Sequence, residues 1–438
     1  MKLLPAVVPT ALFDQHGLDR EKHEWGYDVL HAAAAPDGGT YALAVLWRHE
    51  SSFRPDPTGP SFRHQLIVRY APDGTPLTIA PLREPRSDDT ATAAHPHGHR
   101  LAVLRDGTPV LTTRNGGTYV LSPELDEVRT AWPIASYATW SDRDPDADPF
   151  AASIAVTPNG RLLCATGEYG VQQWGGVMLN LVSVSGPDAV LAPGRKPELR
   201  ALACLVDEIR EQKPTDLVFP HVRHRGEPVF GGNRPLPSLV EALDELTGTA
   251  DDLHRHRDGF LHYPAALGDD LFVVPVYGRT FRSGSRGQQF SFALLDDTGA
   301  VRGRLGGLDL RADSPFTGQD YTVVGDPYRG RAFHLNRYGL YAWTADGELR
   351  ARLSLDDKPF KPLRHFALHG CSPDGELLLG HRKQHLLMRV PVPDELSALP
   401  AAVESAFAGL ARARNALKKR HAPVDRAWAD DTTPVRHL

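Results

Sequence analysis

Apolar residues along this chain come in short runs of four to eight, rich in Val, Leu, Ala, Tyr and Thr, the length and composition of β-strands. A polar turn separates one run from the next, and the turn repeats. It reads Ala35-Pro36-Asp37-Gly38, Ala71-Pro72-Asp73-Gly74, Arg105-Asp106-Gly107, Thr157-Pro158-Asn159-Gly160, Thr344-Ala345-Asp346-Gly347 and Ser372-Pro373-Asp374-Gly375, with a looser copy at Asp296-Asp297-Thr298-Gly299. Proline presets φ, Asp or Asn bonds its own backbone, and glycine takes the positive φ that a tight hairpin needs. Grouping the runs in fours predicts sheets over 28–83, 99–134, 151–192, 259–308, 320–355 and 365–393.

The pattern fails over 193–257. Leu199, Leu202, Ala203, Val206 and Ile209 fall at helical spacing, which predicts an amphipathic helix over Pro197 to Gln212. Ser238 and Glu241 form a capping box before a second short helix through Leu243 and Leu246. Between them, Val218 to Glu227 reads as a hairpin or an irregular loop. A helix is predicted over Ala401 to Arg420, with Val403, Phe407, Leu410 and Leu417 on one face.

Such fourfold strand groups resemble the β-propeller repeat families, broadly the NHL and WD40-like type. The likeness is carried by Leu340-Tyr341-Ala342-Trp343-Thr344-Ala345-Asp346-Gly347 and Leu66-Ile67-Val68-Arg69-Tyr70-Ala71-Pro72-Asp73-Gly74. It implies an all-β fold, a six-bladed propeller with seven blades as the alternative count, occupying 1–394. The helical insertion 193–257 lies within it, and the C-terminal helix and tail (395–438) follow. The last blade has only three strands of its own, so Leu3 to Phe13 is expected to complete it and protect its edge.

Composition narrows the functional classes. A net charge of -5 and a mean hydropathy of -0.33 give no field for nucleic acid and no membrane span. The three cysteines, Cys164, Cys204 and Cys371, form no C-x-x-C pair and read as buried thiols of a cytoplasmic protein. No Walker loop, G-x-S-x-G elbow or H-E-x-x-H motif is present.

Tight Asp-Gly turns belong at one face of the blades, and the long connections at the other. A rigid scaffold with elaborate loops on one face usually functions there. The loop Gly167 to Gly176 offers Glu168, Tyr169, Gln172 and Trp174 to a protein or peptide partner or to a small-molecule ligand, and Arg279 and Arg282 add positive charge nearby. The leading expectation is therefore a non-catalytic propeller that binds a partner on its loop-bearing face.

The alternative is a metal-dependent enzyme acting on a small molecule at the channel mouth. His31, His99, His262 and His365 stand near the starts of inner strands, and converging imidazoles are what a divalent transition metal needs. Some propeller enzymes, carotenoid-cleaving oxygenases and certain polysaccharide lyases, hold a metal in this way. Ala94-His95-Pro96 and Phe333-His334-Leu335-Asn336 are similar to oxygenase phrases, although the spacing between them differs.

Overall fold

The computed structural model describes residues 1–5, 25–48, 63–82, 100–113, 117–132, 153–166, 179–186, 199–206, 219–224, 227–229, 258–261, 264–279, 288–308, 323–381 and 386–420. Their strands form six separate sheets. Blade 1 spans Trp25–Ala34, Thr40–Arg48, Arg63–Tyr70 and Pro76–Leu82. Blade 2 spans Arg100–Val103, Pro109–Thr113, Gly117–Leu121 and Val128–Trp132. Blade 3 begins with Ser153–Val156, Leu162–Thr166 and Leu179–Ser185. In blade 4 the inner strand is split into Asp258–Leu261 and Ala265–Ala266, followed by Leu271–Arg279, Gln288–Asp296 and Val301–Arg304. Blade 5 is Val323–Asp326, Arg331–Leu335, Gly339–Thr344 and Leu349–Ser354. Blade 6 is Phe366–Cys371, Glu376–His381 and Leu387–Pro391.

The six inner strands pack side by side in a closed circuit, blade 1 against blades 2 and 6 and so on around. The count is six. Blade 6 takes its fourth strand from Lys2–Leu4, which pairs antiparallel with Leu387–Pro391 (Lys2 opposite Arg389, Leu4 opposite Leu387). The rest of the expected closing strand, from residue 6 to 13, lies outside the described residues.

Side chains alternate across a strand, and here both faces of each blade meet a neighbour. Phe272, Val274, Ala293 and Leu295 pack towards blade 3, while Val273, Phe292 and Leu294 pack towards blade 5. This double burial is why the strands read as continuous apolar runs rather than alternating ones. The turns behave as their composition dictates. Gly38 N–H donates to Ala35 O and Ala35 N–H to Gly39 O, both at 3.0 Å, with Gly38 at φ 83° and Asp37 Oδ1 accepting from Gly39 N–H at 2.8 Å. Blade 2 uses a different outer turn, in which Leu125 adopts φ 58° with its side chain fully buried. Ser122 Oγ accepts from the N–H groups of Asp126 and Glu127 there, at 3.0 Å each.

One expected helix is a strand. Leu199–Val206 is the fourth strand of blade 3, antiparallel to Leu179–Ser185. Val182 pairs with Ala203 and Ser183 with Ala201, so Leu202 is an extra residue in the ladder. This bulge breaks the two-residue alternation, and Leu202 and Ala203 are both buried towards blade 4. Neighbouring apolar positions mimic helical spacing. Phe219–His224 then adds to the same sheet, parallel to Leu199–Val206, and pairs with Glu227–Val229. The second helix expected near Ser238 lies outside the described residues.

The C-terminal helix spans Leu399–Arg420. Leu399, Val403, Ala406 and Phe407 are buried in the core between blades 5 and 6, where the Phe407 ring meets Phe366 edge-on at 5.4 Å. Its apolar face thus covers its own propeller. Among the described residues no helix is long and apolar enough to cross a membrane.

Candidate functional site

Strand direction fixes what each face of the propeller carries. Every inner strand ends in a tight turn on one face, and its blade's outer turn returns to that face. The opposite face receives the connections at 49–62, 83–99, 133–152, 167–178, 280–287 and 309–322, whereas in blade 3 the segments 187–198 and 230–257 leave strand ends on the turn-bearing side, because Phe219–His224 runs parallel to Leu199–Val206 and Glu227–Val229 runs back antiparallel. Those segments lie outside the described residues. So do Glu168, Tyr169, Gln172, Trp174 and Arg282, together with His99 and His262. Arg279 is the last residue of the strand Leu271–Arg279, opposite Gln288 on one side and Asp258 on the other, at the loop-bearing end of blade 4.

Two of the four candidate metal ligands are described, and they make different contacts. His365 ends a short 3-10 turn (Lys361–His365), is exposed, and stacks on His381 with ring centres 5.8 Å apart. His31 lies in the channel wall. Its Nδ1 accepts the Leu101 N–H of blade 2 at 3.2 Å, and its ring also bonds to the backbone of His369 in blade 6. A ring nitrogen that accepts an amide proton is not free for a metal without losing that bond. Burial lowers the His31 pKa well below 6.5, and the nearby Arg100 and His369 lower it further. Among the described residues no group of three or more His, Cys, Asp or Glu side chains could hold a metal ion.

The described part of the channel is a cavity of about 160 Å³ lined by inner strands of all six blades. The sequence reading overlooked four of its polar residues: Arg100, Arg105, Tyr328 and His369. A signal for them exists. Each lies on an inner strand or on the turn that follows it, within a few residues of an Asp-Gly turn or its equivalent. The imidazoles of His31 and His369 meet edge-on, 5.9 Å apart. Both strands bulge beside this contact, at Leu30 in blade 1 and at His369 itself in blade 6, so pairing skips from Val29 to His31 and from Leu368 to Gly370. Bulges re-aim side chains and cluster near functional sites. Cys371 also lines the channel, but burial, reinforced by Asp326, pushes its thiol well above the usual value, as burial pushes Cys164 up to about 12. Neither is a ready nucleophile at neutral pH.

Arginines tie the turn-bearing face together between blades. Arg69 reaches Pro123 O (3.1 Å) and Glu124 of blade 2, and Arg161 reaches Asp270 of blade 4 (2.7 Å). Arg329 reaches Pro373 O of blade 6 (2.9 Å), and Arg331 reaches the carbonyls of Pro393 and Asp394 (2.9 Å each). Of the carboxylates at these seams, Glu124 and Asp270 are paired in this way.

No family model and no curated protein matches the chain. Among solved structures it is similar to a gluconolactonase from Xanthomonas campestris (11% identity, TM-score 0.39, covering 90% of this chain and 98% of that one). It is also similar to the WD40 domain of Pan2 from Neurospora crassa (7%, TM-score 0.36, 88% and 94%). A third is a putative TolB from Agrobacterium tumefaciens (12%, TM-score 0.30, 65% and 69%). By its own strand order and closed circuit of inner strands, this chain folds as a six-bladed β-propeller.

Proposed function

We propose that this chain is a non-catalytic propeller that binds a protein partner or peptide across its loop-bearing face. The observation that carries the reading is the asymmetry between the two ends of the strands. At one end most strands are joined by short turns of fixed chemistry, whereas the connections at the other run to 20 residues, as at 133–152. Rigid scaffolds place recognition on such segments.

The residue types in those segments suit a macromolecular contact. Tyr137, Trp140, Tyr169, Trp174, Phe281 and Arg282 belong to the classes that dominate binding hot spots. Glu168, Gln172 and Arg279 supply polar groups beside them. The terminal helix spends its apolar face on blades 5 and 6, which leaves docking to the loops. The free thiols Cys164 and Cys371 suit a reducing, cytoplasmic setting.

Selection of a displayed peptide library on the full-length protein, followed by elemental analysis of the same sample, tests the reading. It expects enrichment of a peptide family that binds with one site per chain. Failure to enrich any peptide, together with stoichiometric Mn, Fe or Zn, would favour the metal-dependent enzyme built on His99 and His262.

A further inference from the structure

The C-terminal helix carries positive charge to one end of the seam between blades 5 and 6. Before it starts, Arg331, at the turn-bearing end of blade 5, holds the carbonyls of Pro393 and Asp394 at 2.9 Å each. By Phe407 the helix has reached Phe366, the first residue of the inner strand of blade 6, which lies at the loop-bearing end. Its buried stripe of Leu399, Val403, Phe407 and the partly buried Leu410 then continues as Arg414, about two turns beyond Phe407. From Ser405 to Arg420 the cations are Arg412, Arg414, Lys418, Lys419 and Arg420, with no carboxylate among them. The helix dipole accounts for cations in the last turn only, and Arg412 and Arg414 stand further back.

The connection from blade 5 to blade 6 (355–365) shares that end and adds charge of the same sign. Phe360 and Leu363 pack into the core that the helix covers, while Lys358, Lys361 and His365 are exposed. Arg364 is paired with Asp356 at 2.6 Å, and Asp357 is the remaining carboxylate of the connection. In the neighbouring turn, Arg337 is exposed above Tyr338, whose carbonyl accepts the Leu355 N–H at 2.8 Å. Among the described residues, no carboxylate is paired with Lys358, Lys361, Arg412 or Arg414.

We propose that this patch, built on Lys358, Lys361, Arg412 and Arg414, docks an acidic segment of the partner, a run of aspartate and glutamate side chains. The inference rests on the reading that a peptide binds the loop-bearing face, and it assigns that partner its charge. Exposed cations on two elements steer encounter with a segment of opposite sign and fix its orientation. A nucleic acid fits less well, because binding a single strand needs aromatic faces for the bases to stack on. Phe360 packs into the core, and the Arg337 guanidinium already lies 4.5 Å over the Tyr338 ring.

The test is fluorescence anisotropy of a short, labelled, glutamate-rich peptide titrated with the full-length protein. Saturable binding at one site per chain is expected, weakening as salt rises from about 0.05 M to about 0.5 M. Lys361→Glu/Arg412→Glu reverses two exposed charges, so it should keep the parent's melting temperature and bind at least about tenfold more weakly. Arg304→Glu/Arg350→Glu, on the outer strands of blades 4 and 5, changes the net charge equally and should bind as the parent does. Absence of saturable binding, equal affinity in the two variants, or tighter binding of a single-stranded oligonucleotide would overturn the inference. Library-selected peptides that bind Lys361→Glu/Arg412→Glu as tightly as the parent would also overturn it, while the partner reading stands. A library that enriches no peptide counts against the partner reading, and the glutamate-rich titration then decides the patch by itself.

Discussion

The guanidinium of Arg389 donates to the carbonyl oxygen of Gly38, 351 residues earlier in the chain, at 2.5 Å. This bond joins the third strand of blade 6, the blade built from both ends of the chain, to the inner turn of blade 1. The same guanidinium, 1% exposed, is paired with Glu376 at 2.5 Å and lies 3.9 Å from Asp374. Tyr70 of blade 1 adds a second tie, donating its hydroxyl to Pro5 O at 2.5 Å.

Arg389→Met keeps most of the side-chain volume and removes the charge. It leaves Glu376, which is 13% exposed, without its cation. Breaking one partner of a buried pair typically costs about 3–5 kcal/mol. Urea unfolding should show a loss of that size, and a loss under 1 kcal/mol would contradict the role given to Arg389 at the seam.

Removing residues 1–5 should expose the edge of Leu387–Pro391 and delete the Tyr70 acceptor together. An unprotected edge strand pairs with other copies. Light scattering should report association of the truncated protein, with a lowered melting temperature. A monomer of unchanged stability would count against strand closure by Lys2–Leu4.

Acid should act partly through His31. Its pKa is lowered in the folded protein, so below pH 6.5 the unfolded chain takes up a proton that the folded chain refuses. Its contribution to stability is therefore complete above pH 6.5 and is lost as pH falls from there towards the lowered folded value. His31→Gln should flatten this part of the stability profile, measured by urea unfolding between pH 7 and pH 5. A parallel profile in the variant would show that His31 is not the group responsible.

Gly347 sits at φ 84° in the outer turn of blade 5, where a Cβ would come within 2.4 Å of Arg304 O in blade 4. The same seam carries Trp343 Nε1–H donating to Gly306 O at 2.7 Å and Gly306 N–H donating to Gly347 O at 2.9 Å. Gly347→Ala combines left-handed strain of roughly 1–2 kcal/mol with a backbone clash, so thermal unfolding should show a larger loss than that. Gly107→Ala, in open space at φ 86°, should show the strain alone.

Turn chemistry made the architecture readable. Each Asp-Gly or Asn-Gly unit marks a hairpin whose local hydrogen bonds depend on few distant residues, and six blades follow from counting the runs between them. Positions set by long-range packing were harder to read. The bulge at Leu202 gave a strand the spacing of a helix, and Leu125 holds a left-handed turn without glycine because its side chain is fully buried. The histidines show the same limit. Nothing local distinguishes His369, whose neighbour is His31 in a blade from the other end of the chain, from His365, four residues earlier and exposed. A bulge at His369 decides the difference, and bulges depend on the partner strand.

The most direct test of partner binding compares the two faces of the ring. A peptide selected on the parent protein is measured against Tyr169→Ala/Trp174→Ala on the loop-bearing face and Arg105→Glu on the turn-bearing face. Hot-spot aromatics typically carry at least 2 kcal/mol each, so the loop variant should bind more than about tenfold more weakly, while Arg105→Glu binds as the parent does. Loss of affinity in Arg105→Glu with full affinity in the loop variant would place recognition on the turn-bearing face and contradict the account.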